Sequence, residues 1–236
     1  MRLSDFDVLS FDCYGTLIDW ESGILSAALP LMSRARDPNL LLEAFGRHES
    51  RLEAANPQLP YSEILVKVYG AIAEEWGLET SEEERHEFGA SVGNWPAFPD
   101  SAAALAYLKR HYALAILSNV DRESFIGSNA RLGVDFDFVF TAQDIGSYKP
   151  DPRNFEYLVS KLEKQGYSKG RILHVAESLF HDHGPANKIG LASAWIHRRH
   201  AAGGFGATAP PVIMPSYNFR FTSMAEMAQA HREESN

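Results

Sequence analysis

Apolar positions in this chain follow two rhythms. Five short runs, Val8 to Phe11, Ala113 to Leu117, Phe138 to Thr141, Ile172 to Ala176 and Ala194 to His197, are dense in β-formers, and helical patterns separate most of them. Strands alternating with helices predict parallel βαβ units. The first gap is different, because residues 19–94 contain several helix-like stretches and no convincing strand. The expected fold is therefore α/β: a Rossmann-like three-layer parallel sheet, residues 1–18 and 95–236, with an inserted α-helical cap domain, residues 19–94. Within the insertion Leu41, Phe45, His48 and Leu52 recur at helical spacing, with Arg47 and Arg51 one turn apart beside that stripe. Gly93, Pro96 and Pro99 punctuate the return to the core, and Asp100 is placed to cap a helix from Ser101 to Arg110. Residues 201–215 hold three Gly and three Pro and read as a flexible loop. Their glycines make a poor nucleotide fingerprint, since no strand precedes them and no helix follows at once.

Composition narrows the classes. A chain of 236 residues with 45% apolar content builds one or two ordinary cores. Its 22 basic and 31 acidic side chains give a net charge of −9, which repels nucleic acid phosphates and anionic membranes, so neither is an expected partner. The single cysteine, Cys13, forms no internal disulfide, and no Cys/His spacing suggests zinc. The N-terminus carries two aspartates and runs straight into a strand, unlike a signal peptide, and no apolar run approaches the roughly 18 residues of a membrane span. A cytoplasmic protein is expected.

Ligands of open parallel sheets bind at the carboxyl ends of the strands, so the polar residues ending each run carry the chemistry. The first run ends in Asp12 and the second in Ser118 and Asn119; the third leads through Asp144 and Ser147 to Lys149; the fourth delivers Glu177, Ser178 and Asp182. Together they supply a carboxylate nucleophile, hydroxyl and amide donors, a cation and further carboxylates. Other polar and aromatic residues read as structural. Cys13 alternates away from Asp12 into packing, His174 lies inside a strand, and Trp20, Trp95 and Trp195 read as packing residues. His181 and His183 flank Asp182 and point to different sides, so one of them is structural.

FDCYGTLID, ILSN, SYKPDPRNF and AESLFHD resemble the four ordered motifs of the haloacid dehalogenase superfamily, with a cap inserted after the first. Spacings of 106 residues from Asp12 to Ser118, 31 on to Lys149 and 33 on to Asp182 fit that layout. Phosphatases of the superfamily carry a second aspartate two positions after the nucleophile and use magnesium; here that position is Tyr14, which resembles the L-2-haloacid dehalogenase branch. The resemblance implies a hydrolase without metal or other cofactor, acting on a small carboxylate, with a homodimer as its assembly; a magnesium phosphatase is the alternative. It implies attack by Asp12 on C2 to leave an ester, with Lys149 keeping the nucleophile ionised, and Asp182 with Glu177 activating water. Ser118 and Asn119 would hold the substrate carboxylate, and Tyr14, Thr16, Ser178 and His181 would line the site. Arg47 or Arg51 would close over the substrate from the cap, next to His48. The family's halide-pocket residues are replaced here by His48, Leu179, His181 and Phe155, and Glu177 stands where a serine is usual. These departures suit a ring amine as leaving group. DCYGTLIDWE, NWPAFPD, AESLFHDH and SAWIHRRH are likewise similar to family members that open L-azetidine-2-carboxylate, making ring opening the first expectation and halide release the second.

Overall fold

The structure is a computed structural model that describes residues 1–35 and 37–235. Strands β1 (Val8–Phe11), β2 (Ala113–Ser118), β3 (Phe138–Thr141), β4 (Ile172–Ala176), β5 (Ala192–Ile196) and β6 (Phe219–Phe221) form one parallel sheet in the order β3-β2-β1-β4-β5-β6. Between β1 and β2 lie α1 (Trp20–Ala27), α2 (Leu29–Ala35), α3 (Pro38–Ala55), α4 (Tyr61–Glu75) and α5 (Glu82–Ala90), followed by α6 (Ser101–Leu108). The crossovers continue with α7 (Arg122–Leu132), α8 (Ala142–Ile145), α9 (Arg153–Glu163) and α10 (Gly184–Lys188), and α11 (Met224–Glu234) follows β6. The three-residue β6 pairs only with β5 and was not anticipated; a run that short gives no usable periodicity. β5 begins two residues before its expected start.

Register explains the layering. Leu9 pairs with Leu114 and Leu173, and Phe11 with Ile116 and Val175, and all six side chains enter one apolar cluster. Val8, Ala115, Leu117 and Ile172, of opposite parity, enter a second cluster with Phe155, Leu158 and Leu162 of α9. Ser10 and His174 share this second parity, are paired in register, and are fully buried.

The helical insertion packs on the first cluster without a break. Leu41 and Phe45 of α3, Ile64 and Val68 of α4 and Phe88 of α5 are buried in it, and Trp20 meets Phe45 edge to face at 5.8 Å. Fully burying side chains of this size contributes roughly 1.5–3 kcal/mol each. The chain leaves and re-enters the sheet side by side: Asp19 N–H donates to the Pro96 carbonyl at 2.8 Å and Phe98 N–H to the Leu17 carbonyl at 3.0 Å. Asp121 ties the layers together, capping α7 through Ser124 N–H and accepting Ser62 N–H of α4, both at 2.9 Å.

Asp100 does not cap α6 through its side chain, and that helix stops at Leu108 rather than Arg110. Its carboxylate instead takes Arg198 Nη1 at 2.8 Å and Ala225 N–H at 3.0 Å, and the Arg198 fork also binds the Thr16 carbonyl. A guanidinium with two acceptors in reach outcompetes a single cap bond. Residues 201–215 form no helix or strand. Among the described residues no helix is long and apolar enough to cross a membrane.

Candidate active site

Asp12 follows β1 with the parity of Ser10, and the turn after it reverses at Gly15, whose φ of 89° is left-handed backbone that favours glycine. The turn brings Thr16 back, and its hydroxyl donates to Asp12 Oδ2 at 2.6 Å while accepting Glu177 N–H at 2.8 Å. Lys149 arrives from the loop after α8 and is 2% exposed. Its ammonium donates to Asp12 Oδ1 at 2.9 Å, Asp182 Oδ1 at 2.6 Å and the Leu117 carbonyl at 3.0 Å, using all three protons.

Asp182 sits on a wide π turn, Leu179–His183, a rare geometry that recurs at functional sites. It does not cap α10. Its Oδ1 also bonds His174 Nε2 at 2.8 Å, whose Nδ1 meets the Ser10 hydroxyl at 3.1 Å, while Oδ2 has no protein partner. His174 is thus core by position but also fixes which oxygen of Asp182 is free, a role its sequence position did not reveal. Burial opposes ionisation of Asp182, yet Lys149 and His174 outweigh it and hold the carboxyl below the usual range. Burial pushes Asp12 up, with Lys149 and Thr16 opposing, and the two carboxylates together drive Lys149 up against its own burial.

Two donors face the small cavity, of about 30 Å³, in front of Asp12. Ser118 Oγ is buried without a partner. Ser178 Oγ accepts His181 N–H at 2.9 Å and lies 3.2 Å from Nδ1; donating its own proton there selects the tautomer with N–H at Nε2, the atom that is buried and unpartnered beside the cavity. Burial lowers His181 to about 4 and keeps it neutral. His183 faces the other way, onto Ser193 and the Ala176 carbonyl, as expected for the structural member of the pair. Tyr14 lines the cavity with its hydroxyl bonded to Ser128 at 2.9 Å, and burial raises it well above its ordinary value.

Several expected site residues are elsewhere. Arg47 and His48 both bind Glu75 on the outer face of the insertion, at 2.7 and 2.6 Å, and Arg51 meets His48 Nδ1. None lines the cavity. The rotation of α3 turns Glu49 inward instead. Asn119 reaches the cavity, but its amide is spent on both backbone groups of Lys149 and on Glu53. It positions the lysine. Glu177 anchors the turn through its main chain, taking Trp195 Nε1 on its carbonyl; its half-buried carboxyl, raised to about 8 by burial and by Asp12, does not line the cavity. Phe155 packs edge-on against His174, and Leu179 is buried. Trp95 is packing, as expected, whereas Trp20 also lines the cavity. So do Glu49 and Tyr61 of the insertion and Thr208 of the 201–215 loop, all missed by the sequence reading.

A family model for haloacid dehalogenase-like hydrolases matches residues 6–179. The chain belongs to that family. Among similar proteins, the hydrolase is 25% identical to (S)-2-haloacid dehalogenase 4A of Burkholderia cepacia over 193 residues, covering 80% of this chain and 82% of the relative. It is 26% identical to (S)-2-haloacid dehalogenase of Pseudomonas sp. (strain YL) over 194 residues, with the same coverage. The L-2-haloacid dehalogenase of Xanthobacter autotrophicus, solved with chloropropionic acid covalently bound, superposes with a TM-score of 0.79 at 19% identity, covering 96% of this chain and 98% of that one. The protein is therefore a hydrolase of the haloacid dehalogenase type, with that fold.

Proposed function

We propose that this hydrolase displaces a leaving group at C2 of a small L-2-substituted carboxylate through an ester on Asp12, and that its substrate is L-azetidine-2-carboxylate, opened to 2-hydroxy-4-aminobutyrate. Ser118 Oγ and His181 Nε2 hold the substrate carboxylate, and their fixed donors place C2 before Asp12 for in-line attack. Lys149 binds Asp12 Oδ1 throughout and stabilises the oxyanion formed when water adds to the ester carbonyl. The free Oδ2 of Asp182 accepts a proton from that water, since Oδ1 is already held by Lys149 and His174. The covalent chloropropionate in the Xanthobacter enzyme supports the ester route by analogy.

The choice of leaving group rests on one observation. Among the described residues that line the cavity the only cation is Lys149, and its three protons are already committed. Arg47 and Arg51, the cap cations a departing halide would use, are on the outer face. An amine needs no such cation. Halide release is the second reading, favoured by the names of the relatives. A side-by-side assay of L-azetidine-2-carboxylate and L-2-chloropropionate decides between them: primary amine formation in large excess over chloride release is expected, and the reverse excess refutes ring opening.

A further inference from the structure

Helix α3 turns two carboxylic acids inward, and the mechanism above uses neither. Glu49 and Glu53 lie one turn apart, each 3% exposed. Glu53 is accounted for, since Asn119 Nδ2 donates to both its oxygens. Glu49 is not. Tyr61, at the start of α4, donates to its Oε1 at 2.5 Å, and the second oxygen has no protein partner among the described residues. The side chain lines the same cavity as Asp12, Tyr14, Trp20 and Tyr61.

A buried carboxyl facing a nucleophilic carboxylate costs stability unless something in the cavity compensates it. Burial, with Asp12 adding to it, raises Glu49 to about 8; a cation beside it would draw the proton off. The aromatic rings of Tyr14, Trp20 and Tyr61 around it suit a cation as well, since ring faces attract positive charge. An anion there would meet a carboxyl among three aromatic rings.

We propose that Glu49 binds the ring ammonium of the substrate and so makes the cap helix the selector for a ring nitrogen that leaves as an amine over a group that leaves as an anion; this rests on the ring-opening reading above. The ring nitrogen enters as NH2⁺. As the bond from Asp12 oxygen to C2 forms, the C2–N bond breaks and its electron pair goes to nitrogen, which leaves as a neutral primary amine retaining both protons beside the Glu49 carboxylate. Water then adds to the Asp12 carbonyl, the ester oxygen departs as the product hydroxyl, the Asp12 carboxylate is restored, and the one proton released ends on the amine. Glu49 is not consumed.

The test separates binding from turnover. In the Asp12→Asn protein, which lacks the nucleophile, calorimetry compares L-azetidine-2-carboxylate with oxetane-2-carboxylate of the same hand, which has oxygen in place of the ring NH2⁺. The cationic ligand should bind roughly 10- to 100-fold tighter. In Asp12→Asn/Glu49→Gln with unchanged melting temperature, the ratio should fall to within about threefold; should that variant not fold, Glu49→Asp, whose carboxylate reaches less far, should lower the ratio by at least about threefold. No detectable binding of the azetidine, a ratio near one in Asp12→Asn, or a ratio unmoved by the Glu49 changes overturns the proposal. Wild-type turnover decides the underlying reading separately: a Glu49-dependent cation preference without ring opening would refute the reaction and keep the site.

Discussion

Replacing Lys149 with Met removes the ammonium that holds two buried carboxylates apart and in place. Nζ is 2.9 Å from Asp12 Oδ1 and 2.6 Å from Asp182 Oδ1, with the lysine 2% exposed. At an effective dielectric near 20 each contact represents about 6 kcal/mol of gross attraction, most of it offset by the cost of taking the charges out of water. Losing one partner of a buried pair costs roughly 3–5 kcal/mol, and because two carboxylates are stranded here the upper end, about 5 kcal/mol, is expected. That is within the stability of an ordinary domain, about 5–15 kcal/mol, so the variant should fold at low temperature. Part of the loss is charge repulsion, which Lys149→Met/Asp182→Asn removes. The double variant should therefore regain about 1–2 kcal/mol over the single one. Activity should not return with it, because Asp12, already pushed up by burial, rises further without the ammonium. kcat/KM should fall by about a thousandfold, equivalent to about 4 kcal/mol of lost transition-state stabilisation. Urea titration followed by tryptophan fluorescence measures the first quantity and steady-state kinetics the second. A loss of stability under about 1 kcal/mol, or a double variant less stable than the single one, would refute the electrostatic account of this triad.

Two further outcomes follow from the same geometry. In a single turnover in heavy-oxygen water with enzyme in excess, the product should stay unlabelled while the peptide carrying Asp12 gains the label, because Asp12 supplies the product oxygen; label in the first product would mean direct attack by water. Activity should survive exhaustive chelation, since Tyr14 occupies the place of a second carboxylate with its hydroxyl bound to Ser128, and Lys149 already bonds both Asp12 and Asp182; abolition by EDTA with rescue by magnesium would overturn this.

How far the site was legible in the sequence depends on which kind of element carries each residue. Asp12 and Ser118 sit at strand ends, and there a local signal suffices: an apolar run stops, a polar residue begins, and parallel topology brings all such ends to one edge. Lys149 and Asp182 were found in the same way, although the π turn that frees Asp182 Oδ2 was not visible. The cap was harder because a helix rotates about 100° per residue, so an error of one position changes which side chain faces the cavity. Leu41 and Phe45 were placed correctly on α3, but continuing by three residues selects His48, whereas continuing by four selects Glu49, the residue that is buried. Polarity favoured neither choice strongly, and a buried acid is the rarer outcome. What makes it tolerable is Tyr61, twelve positions away on another helix, and for Glu53 it is Asn119, sixty-six positions away on the core. Thr208 was missed for a similar reason. A Gly- and Pro-rich segment reads as mobile, yet Ala207 N–H donates to Glu21 Oε1 and Ala207 is fully buried, which pins the loop against the insertion and turns Thr208 into the cavity. Asp12 and Lys149 are thus written in local pattern, while the lining of the cavity opposite them depends on contacts between elements far apart in the chain. The same core motifs can therefore face different cavity linings through changes confined to the insertion and one loop.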